Sequence, residues 1–218
     1  LLVELSGGGA ILVHLGMSGS LTHRHQRLPG GDLDPRHDHV EFLLNDGSRL
    51  VFNDPRRFGV VRFISVADLS RIAELRHLGP EPLGQQFNLE YLAGVARGRT
   101  VAIKNLLMDQ RIVAGIGNIY AAEILFRARV RPSRRAGRVT GAELERIAAI
   151  TPVVLRAAIA SGGTTFRSYR DSRGRPGRFA RRLMVYGREG DPCYICSAPI
   201  RNVVLSQRAS FYCPKCQH

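Results

Sequence analysis

CYICSAPIRNVVLSQRASFYCPKC, residues 193–216, is the stretch from which the rest of the chain can be read. All four cysteines of the protein lie in it, as Cys193-x2-Cys196 and Cys213-x2-Cys216, with residues 197–212 between the pairs. Each CxxC sets two thiolates on one tight knuckle, and two knuckles complete a tetrahedron around Zn²⁺. Four protein ligands leave no open coordination position, so the expected ion is one structural zinc. Two disulfides or a redox CxxC are the competing readings. A redox motif needs only one pair, and a basic chain without a visible secretory signal argues against disulfides. Between the knuckles, Val203–Ser206 and Ser210–Tyr212 alternate as a hairpin does, with Gln207-Arg208 at the tip. An arginine on a zinc-pinned tip is rigidly placed for a phosphate.

The composition points the same way. The 218 residues contain 32 Lys and Arg against 18 Asp and Glu, a net charge of +14. Such an excess attracts polyanions, and nucleic acid is the expected partner class. No basic amphipathic helix with an aromatic edge suggests a membrane surface, and no apolar run approaches the ~20 residues of a transmembrane helix. With no cleavable signal visible, a cytoplasmic address is the default expectation.

Upstream of the cysteines the apolar period changes once. Residues 1–65 read as strands at Leu1–Leu5, Ala10–Leu15, His39–Leu44, Arg49–Asn53 and Val60–Ile64, with an Asn45-Asp46-Gly47-Ser48 turn and a polar loop over His23–Asp38. From Ser65 the spacing is helical, over Ala67–Leu75, Leu89–Arg97, Asn118–Arg127 and Gly141–Ser161. Ser65 with Asp68, and Thr140 with Glu143, have the form of a capping residue and its acidic partner. Thr151-Pro152 is expected to split the last helix or to start a second segment. Arg167–Arg182, rich in Arg, Gly and Ser, reads as a loop.

Three further motifs admit more than one reading. Gly115-Ile116-Gly117-Asn118 opens a helix, and exposed amides there suit a phosphate, although a tight helix–helix turn is the plainer reading. Lys104, Arg97 and Arg99 add charge nearby or form a solvated face. Met17 in His14-Leu15-Gly16-Met17-Ser18-Gly19 and Arg56-Arg57-Phe58 in Asp54-Pro55-Arg56-Arg57-Phe58-Gly59 are apolar wedges beside arginines, the means of unstacking a duplex. Core filling and a surface turn are the plainer alternatives. His23, His25, His37 and His39 lack a Cys or Glu at ligand spacing, so a metal is not expected there.

HLGMSG, HDH, DPRRFG, LGPEPL, GIGNIYAAE, GGTT, VYGREGDPC and QRASFYCPKC, in that order from Leu1 to His218, resemble the bacterial formamidopyrimidine-DNA glycosylases. HLGMSG and DPRRFG favour that branch over the endonuclease VIII-like relatives. The resemblance implies a multidomain α+β chain in three parts. These are a partial N-terminal β-sandwich (1–65), a helix–two-turn–helix domain with a lesion-capping loop (66–182) and a β-hairpin zinc finger (183–218). Double-stranded DNA containing oxidised purines or abasic sites is the implied partner, bound in the cleft between them by a nucleoid-associated monomer.

By position, the resemblance implies that Met17, Arg56 and Phe58 fill the space left by an everted nucleotide. It implies DNA contacts at His37, Arg56, Arg99, Lys104, Asn118 and Arg208, a proton-donor role for Arg208 in the second strand cleavage, and a loop from Thr164 to about Arg182 that closes over the lesion. The family's chemistry starts at an N-terminal Pro-Glu whose secondary amine forms a Schiff base, followed by a Lys before the strand that opens here. Residue 1 is Leu, and Pro80-Glu81 is internal. A sheet beginning at its first residue suggests missing upstream residues, and the 218-residue chain is expected not to form a trappable covalent complex. A bifunctional glycosylase and abasic-site lyase is the first reading. A non-catalytic fragment or pseudoenzyme that binds damaged DNA is the alternative.

Overall fold

The computed structural model describes residues 1–16, 18–25, 33–69, 72–165, 171–172 and 175–218. The N-terminal strands pair as two antiparallel three-stranded sheets. One contains β1 (Leu2–Glu4), β2 (Ala10–His14) and β6 (Val60–Ile64), in the order β1-β2-β6. The other contains β3 (Ser20–Arg24), β4 (Asp38–Leu43) and β5 (Arg49–Asn53), in the order β3-β5-β4. The turn joining β4 and β5 is the expected one. Gly47 has φ 77°, and Asp46 Oδ1 accepts the Ser48 N–H at 2.9 Å, the bond that makes Asx residues turn formers. On β2, Leu12 packs with Ile64 and Ile72 in a small core.

Strand β3 lies where the sequence suggests a small-residue stretch running into a polar loop. Its inward positions are filled by Ser20 and Thr22, both buried. Polar residues on the buried side erase the apolar alternation that marks a half-buried strand.

The helices follow their caps. In α3 (Leu89–Ala96), the Asn88 side chain accepts the Tyr91 N–H at 3.0 Å. In α6 (Gly141–Ala160), Thr140 and Glu143 form the reciprocal box: Glu143 Oε2 accepts the Thr140 N–H at 2.8 Å, and Thr140 Oγ1 accepts the Glu143 N–H at 3.4 Å. The expected helix over 67–75 is instead two short ones, α1 (Val66–Leu69) and α2 (Ala73–Arg76). Ser65 Oγ there bonds the Asp68 carboxylate rather than a backbone amide.

Pro152 does not divide α6. The buried stripe Leu144, Ile147, Thr151, Val154, Leu155 and Ala158 continues past it, and that burial outweighs a local cost of about 3 kcal/mol. A further helix, α4 (Ile103–Met108), spans six residues with Ile103, Lys104, Leu106 and Leu107 buried. It is too short for a helical period to show. It leads through the turns of residues 109–117 into α5 (Asn118–Arg127).

At the C-terminus, β7 (Arg201–Leu205) and β8 (Arg208–Tyr212) pair antiparallel with Leu205 opposite Arg208. Ser206 and Gln207 form the two-residue tip, with φ 46° and 63°, the left-handed geometry that matches strand twist. Cys193, Ala198, Ile200, Cys213 and Val185 share a core with Ala122 and Phe126 of α5. The backbone accordingly groups into two compact units, Leu1–Arg76 with Ala160–Arg181, and His77–Ile159 with Arg182–His218. These units cut the chain differently from the three expected segments: shared apolar burial joins the cysteine-rich tail to the helices.

Candidate nucleic-acid interface

Cys193, Cys196, Cys213 and Cys216 converge, with their Sγ atoms all within 4.8 Å of one another. Cys193 and Cys216 Sγ are 4.0 Å apart, and Cys196 and Cys213 Sγ are 3.4 Å apart. A tetrahedron of ~2.3 Å Zn–S bonds needs sulfurs about 3.8 Å apart, so the thiols present fit the ion. Backbone amides support the knuckles: the Ile195 N–H points at Cys193 Sγ (3.5 Å) and the Cys216 N–H at Cys213 Sγ (3.4 Å). The Ala198 amide draws the Cys196 thiol down to about 7, while burial pushes Cys213 and Cys216 up. Four thiolates therefore coexist only around a cation. This is a closed structural zinc site, and among the described residues no other group of three or more His, Cys, Asp or Glu side chains converges in this way.

In the N-terminal unit, Asp54 organises the turn that follows β5. Its carboxylate accepts the Ser18 hydroxyl (2.8 Å), the Gly59 N–H (2.8 Å) and the Arg56 N–H (3.3 Å), and its carbonyl faces His39 Nε2 (2.9 Å). Burial alone would raise the Asp54 carboxyl. The hydrogen bonds, that of Gly59 foremost, outweigh it and hold the group below the usual carboxylate range. Gly59 is required: a Cβ there would stand 2.5 Å from the Phe52 ring and 2.8 Å from the His14 carbonyl. The turn closes with Arg57 in the left-handed region (φ 57°).

The product is a braced loop with its apolar tip in solvent. Phe58 is 59% exposed, and the Arg56 guanidinium sits 5.0 Å from its ring centroid. His37 lies against the same turn, its carbonyl accepting the Asp54 N–H at 2.9 Å. Met17, the third expected wedge residue, is outside the described residues. So are 166–170 and 173–174 of the expected capping loop. At the foot of that loop, Thr164 and Arg178 form a bridge, and Thr165 Oγ1 accepts the Gly177 N–H at 2.8 Å.

In the second unit, the turns before α5 are tied by Gln110, which the sequence reading passed over. Its Oε1 accepts the Gly115 N–H (2.7 Å), and its Nε2 donates to the Ile116 carbonyl (3.1 Å). Gly115 takes φ 81°, and Gly117 caps α5 without a side-chain bond. With no acidic residue in its first turn, the helix start keeps its positive dipole unopposed. Asn118 Nδ2 donates to the Ala209 carbonyl (3.2 Å) and faces the Tyr186 hydroxyl (3.4 Å). Its Oδ1 is buried without a partner. Arg208 and Arg99 are exposed. These groups bring the Gly-flanked turn and the zinc hairpin together, although 91 residues separate Asn118 from Ala209.

Lys104 differs from the expectation of a surface contact. It is 0% exposed, and its Nζ donates to the Ala209 carbonyl (2.8 Å) and Ser210 Oγ (2.5 Å). Burial first, and the nearby Arg208 charge second, pull its ammonium down to about 8 from 10.5. Between those values the unfolded chain holds a proton that the folded chain has shed. The burial penalty is therefore full below about pH 8 and is relieved as the pH rises toward 10.5. Urea unfolding is expected to show wild type gaining stability relative to Lys104→Met between about pH 8 and 10. A constant difference across that window would refute the buried charge.

Two more residues take their roles from distant partners. Asn105 Nδ2 donates to Ser206 Oγ at 2.7 Å. Glu123, 0% exposed on α5, accepts the amides of Met184, Val185 and Tyr186 at 2.9–3.0 Å. An acid inside the apolar run Ala121-Ala122-Glu123-Ile124-Leu125-Phe126 was the available signal.

Comparison with known proteins matches three stretches of the chain. Residues 1–61 match the profile described as the formamidopyrimidine-DNA glycosylase N-terminal domain, and residues 78–170 match that of the formamidopyrimidine-DNA glycosylase H2TH domain. Residues 190–218 match the zinc finger found in FPG and IleRS. The formamidopyrimidine-DNA glycosylase of Syntrophotalea carbinolica is 50% identical over 210 residues, covering 96% of this chain and 75% of the relative. That of Halorhodospira halophila is 48% identical over 217 residues, covering 100% of this chain and 78% of its own. Among solved structures, the MutM (FPG) protein from Thermus thermophilus superposes with a TM-score of 0.86 at 38% identity, over 99% of this chain and 78% of that one. Lactococcus lactis Fpg in complex with an abasic site containing DNA gives 0.87 at 28% identity, over 100% of this chain and 78% of that one.

Proposed function

The chain belongs to the formamidopyrimidine-DNA glycosylase family, and on that premise we propose that it serves base-excision repair by gripping oxidised-purine lesions and abasic sites in duplex DNA. The reaction is glycosylase and abasic-site lyase chemistry, carried out on the bacterial chromosome in the cytoplasm. A base inside a duplex is out of reach of such chemistry, so the target nucleotide is everted, at a cost of a few kcal/mol in lost stacking and pairing. The single observation that carries the reading is the Asp54-braced turn, which holds Phe58 in solvent with Arg56 against its ring. An aromatic side chain rigidly kept out of the core is positioned to enter a base step, and the guanidinium beside it to meet the orphaned partner base.

Phosphate contacts are assigned to His37, Arg99, Arg208 and the Asn118 end of α5. Arg208, on the zinc-stiffened hairpin, is also the donor for the second elimination that the family resemblance implies. The zinc ion takes no part in the reaction; it fixes the hairpin.

Two substitutions test this. Phe58→Ala is expected to leave affinity for undamaged duplex nearly unchanged and to lower preference for lesion-containing duplex about tenfold, as one lost stacking contact does. Arg208→Ala is expected to weaken both duplexes alike and to reduce the slope of log K against log salt by about 0.9. Titrations in which Phe58→Ala keeps full lesion preference would defeat the wedge, and an unchanged salt slope would remove Arg208 from the contact set.

A further inference from the structure

We propose that Lys104 is a positioning residue for Arg208: it does not touch DNA but fixes the β7–β8 hairpin on the α4–α5 pair, so that the guanidinium stands at the height of a duplex phosphate. This rests on the reading of Arg208 as a phosphate contact. The geometry is a relay of hydrogen bonds. Lys104 Nζ donates to Ser210 Oγ (2.5 Å), and the Ser210 hydroxyl donates to the carbonyl of Arg208 itself (3.2 Å). A hydroxyl has one proton to give, and the ammonium, having no lone pair, can only donate to its oxygen. The Ser210 proton is thereby directed at the Arg208 carbonyl.

A second bond from Lys104 reaches the Ala209 carbonyl (2.8 Å), which also accepts from Asn118 Nδ2 (3.2 Å). One peptide group next to Arg208 is thus held from both α4 and the start of α5. Asn105 grips the tip through Ser206 Oγ (2.7 Å). On the far side of the hairpin, Asn202 Oδ1 accepts the Ser210 N–H (3.0 Å). Ser210 is thereby fixed at both its amide and its hydroxyl.

The energetics argue for placement rather than for stability or contact. An ammonium at 0% exposure loses its hydration, and such a charge is costly unless every donor is matched. Its bonding partners are a carbonyl and a hydroxyl, and the neighbouring charge, Arg208, has the same sign. A methionine of similar length would fill the space at less cost. A phosphate cannot reach the buried Nζ without displacing the hairpin. What the lysine supplies is two directed hydrogen bonds from one point, to the Ala209 carbonyl and the Ser210 hydroxyl that flank Arg208.

The test is a double-mutant cycle on duplex binding, read as affinity and as salt slope. Lys104→Met is expected to weaken binding about tenfold and to lower the slope by about 0.9, as Arg208→Ala does, because each removes the same single phosphate contact. The double variant is expected to be no weaker than Arg208→Ala alone. Ser210→Ala, a milder cut in the same relay, is expected to lose affinity in the wild-type background and none in Arg208→Ala. Hydrogen exchange at the amides of residues 201–212 is expected to quicken in Lys104→Met with zinc content unchanged.

If the losses multiply and the slope falls by about 1.8 in the double variant, Lys104 is an independent phosphate contact and the proposal is overturned. It is overturned equally if Lys104→Met leaves affinity and hairpin exchange as in wild type. If Arg208→Ala alone loses neither affinity nor slope, the contact reading of Arg208 fails, and the positioning role falls with it.

Discussion

Replacing Cys213 by Ser is expected to abolish zinc binding and to unfold the segment from Arg182 to His218. Structural zinc contributes about 10–16 kcal/mol of apparent binding free energy in finger peptides, more than the whole stability of most domains. The two-stranded hairpin of β7 and β8 is marginal without a support. Cys193 and Cys213 are also core residues that pack with Ala122, Phe126, Val185, Ala198 and Ile200, so losing the ion opens an apolar cluster on α5 as well. Metal analysis should show no zinc, and limited proteolysis should cut within 182–218 at protein concentrations where wild type resists. Duplex affinity should fall by more than tenfold, because Arg208 and its supports lose their platform. A Cys213→Ser protein with protected hairpin amides would mean that packing alone holds the tail.

Glu123→Ala is expected to be the most destabilising substitution outside the cysteines. The carboxylate receives three consecutive amides, Met184, Val185 and Tyr186, and the Arg127 guanidinium (2.5 Å). Removing it leaves those amides without this acceptor and takes the carboxylate from Arg127, whose side chain is 26% exposed. Leaving a buried amide without its acceptor costs about 1–3 kcal/mol, and three are left here. Urea unfolding should register that loss, while Arg127→Ala, which leaves the amides satisfied, should lose about 1 kcal/mol. Equal losses for the two variants would show that the ion pair matters and the amide cradle does not. The cradle also sets where Tyr186 meets Asn118, so Glu123→Ala should weaken DNA binding even in the folded fraction.

Much of this architecture is legible in the amino-acid order. The zinc site follows from two CxxC pairs, because a knuckle of four residues is enough to bring two thiols together. The Asn45–Ser48 turn and the Thr140–Glu143 box are equally local. Each uses a side chain to satisfy a backbone group two or three residues away. The Arg56–Phe58 turn shows as a motif, whereas the Asp54 carboxylate that braces it gave no signal of its own.

Other features depended on partners far along the chain. Lys104 looks like any surface lysine beside Arg97 and Arg99; that it is buried follows from Ala209 and Ser210 arriving from 105 and 106 residues away. Glu123 sits inside α5, and only the 184–186 backbone makes it an acceptor rather than a misplaced charge. Ser20 and Thr22 hid strand β3 because pairing with β5, not side-chain polarity, decides that they are interior. Pro152 marks a break by local rules, and the buried stripe of α6 overrides it.

The sequence by itself determined the metal, the caps, the tight turns and the excess of positive charge, since each is a property of residues within a few positions of one another or of composition. Only the tertiary structure decided which polar groups are interior, that the zinc tail shares a core with α5, and that Lys104 faces the hairpin instead of solvent. The physical reason is that burial of a charge depends on whether distant backbone supplies its hydrogen bonds, and no local spacing encodes that.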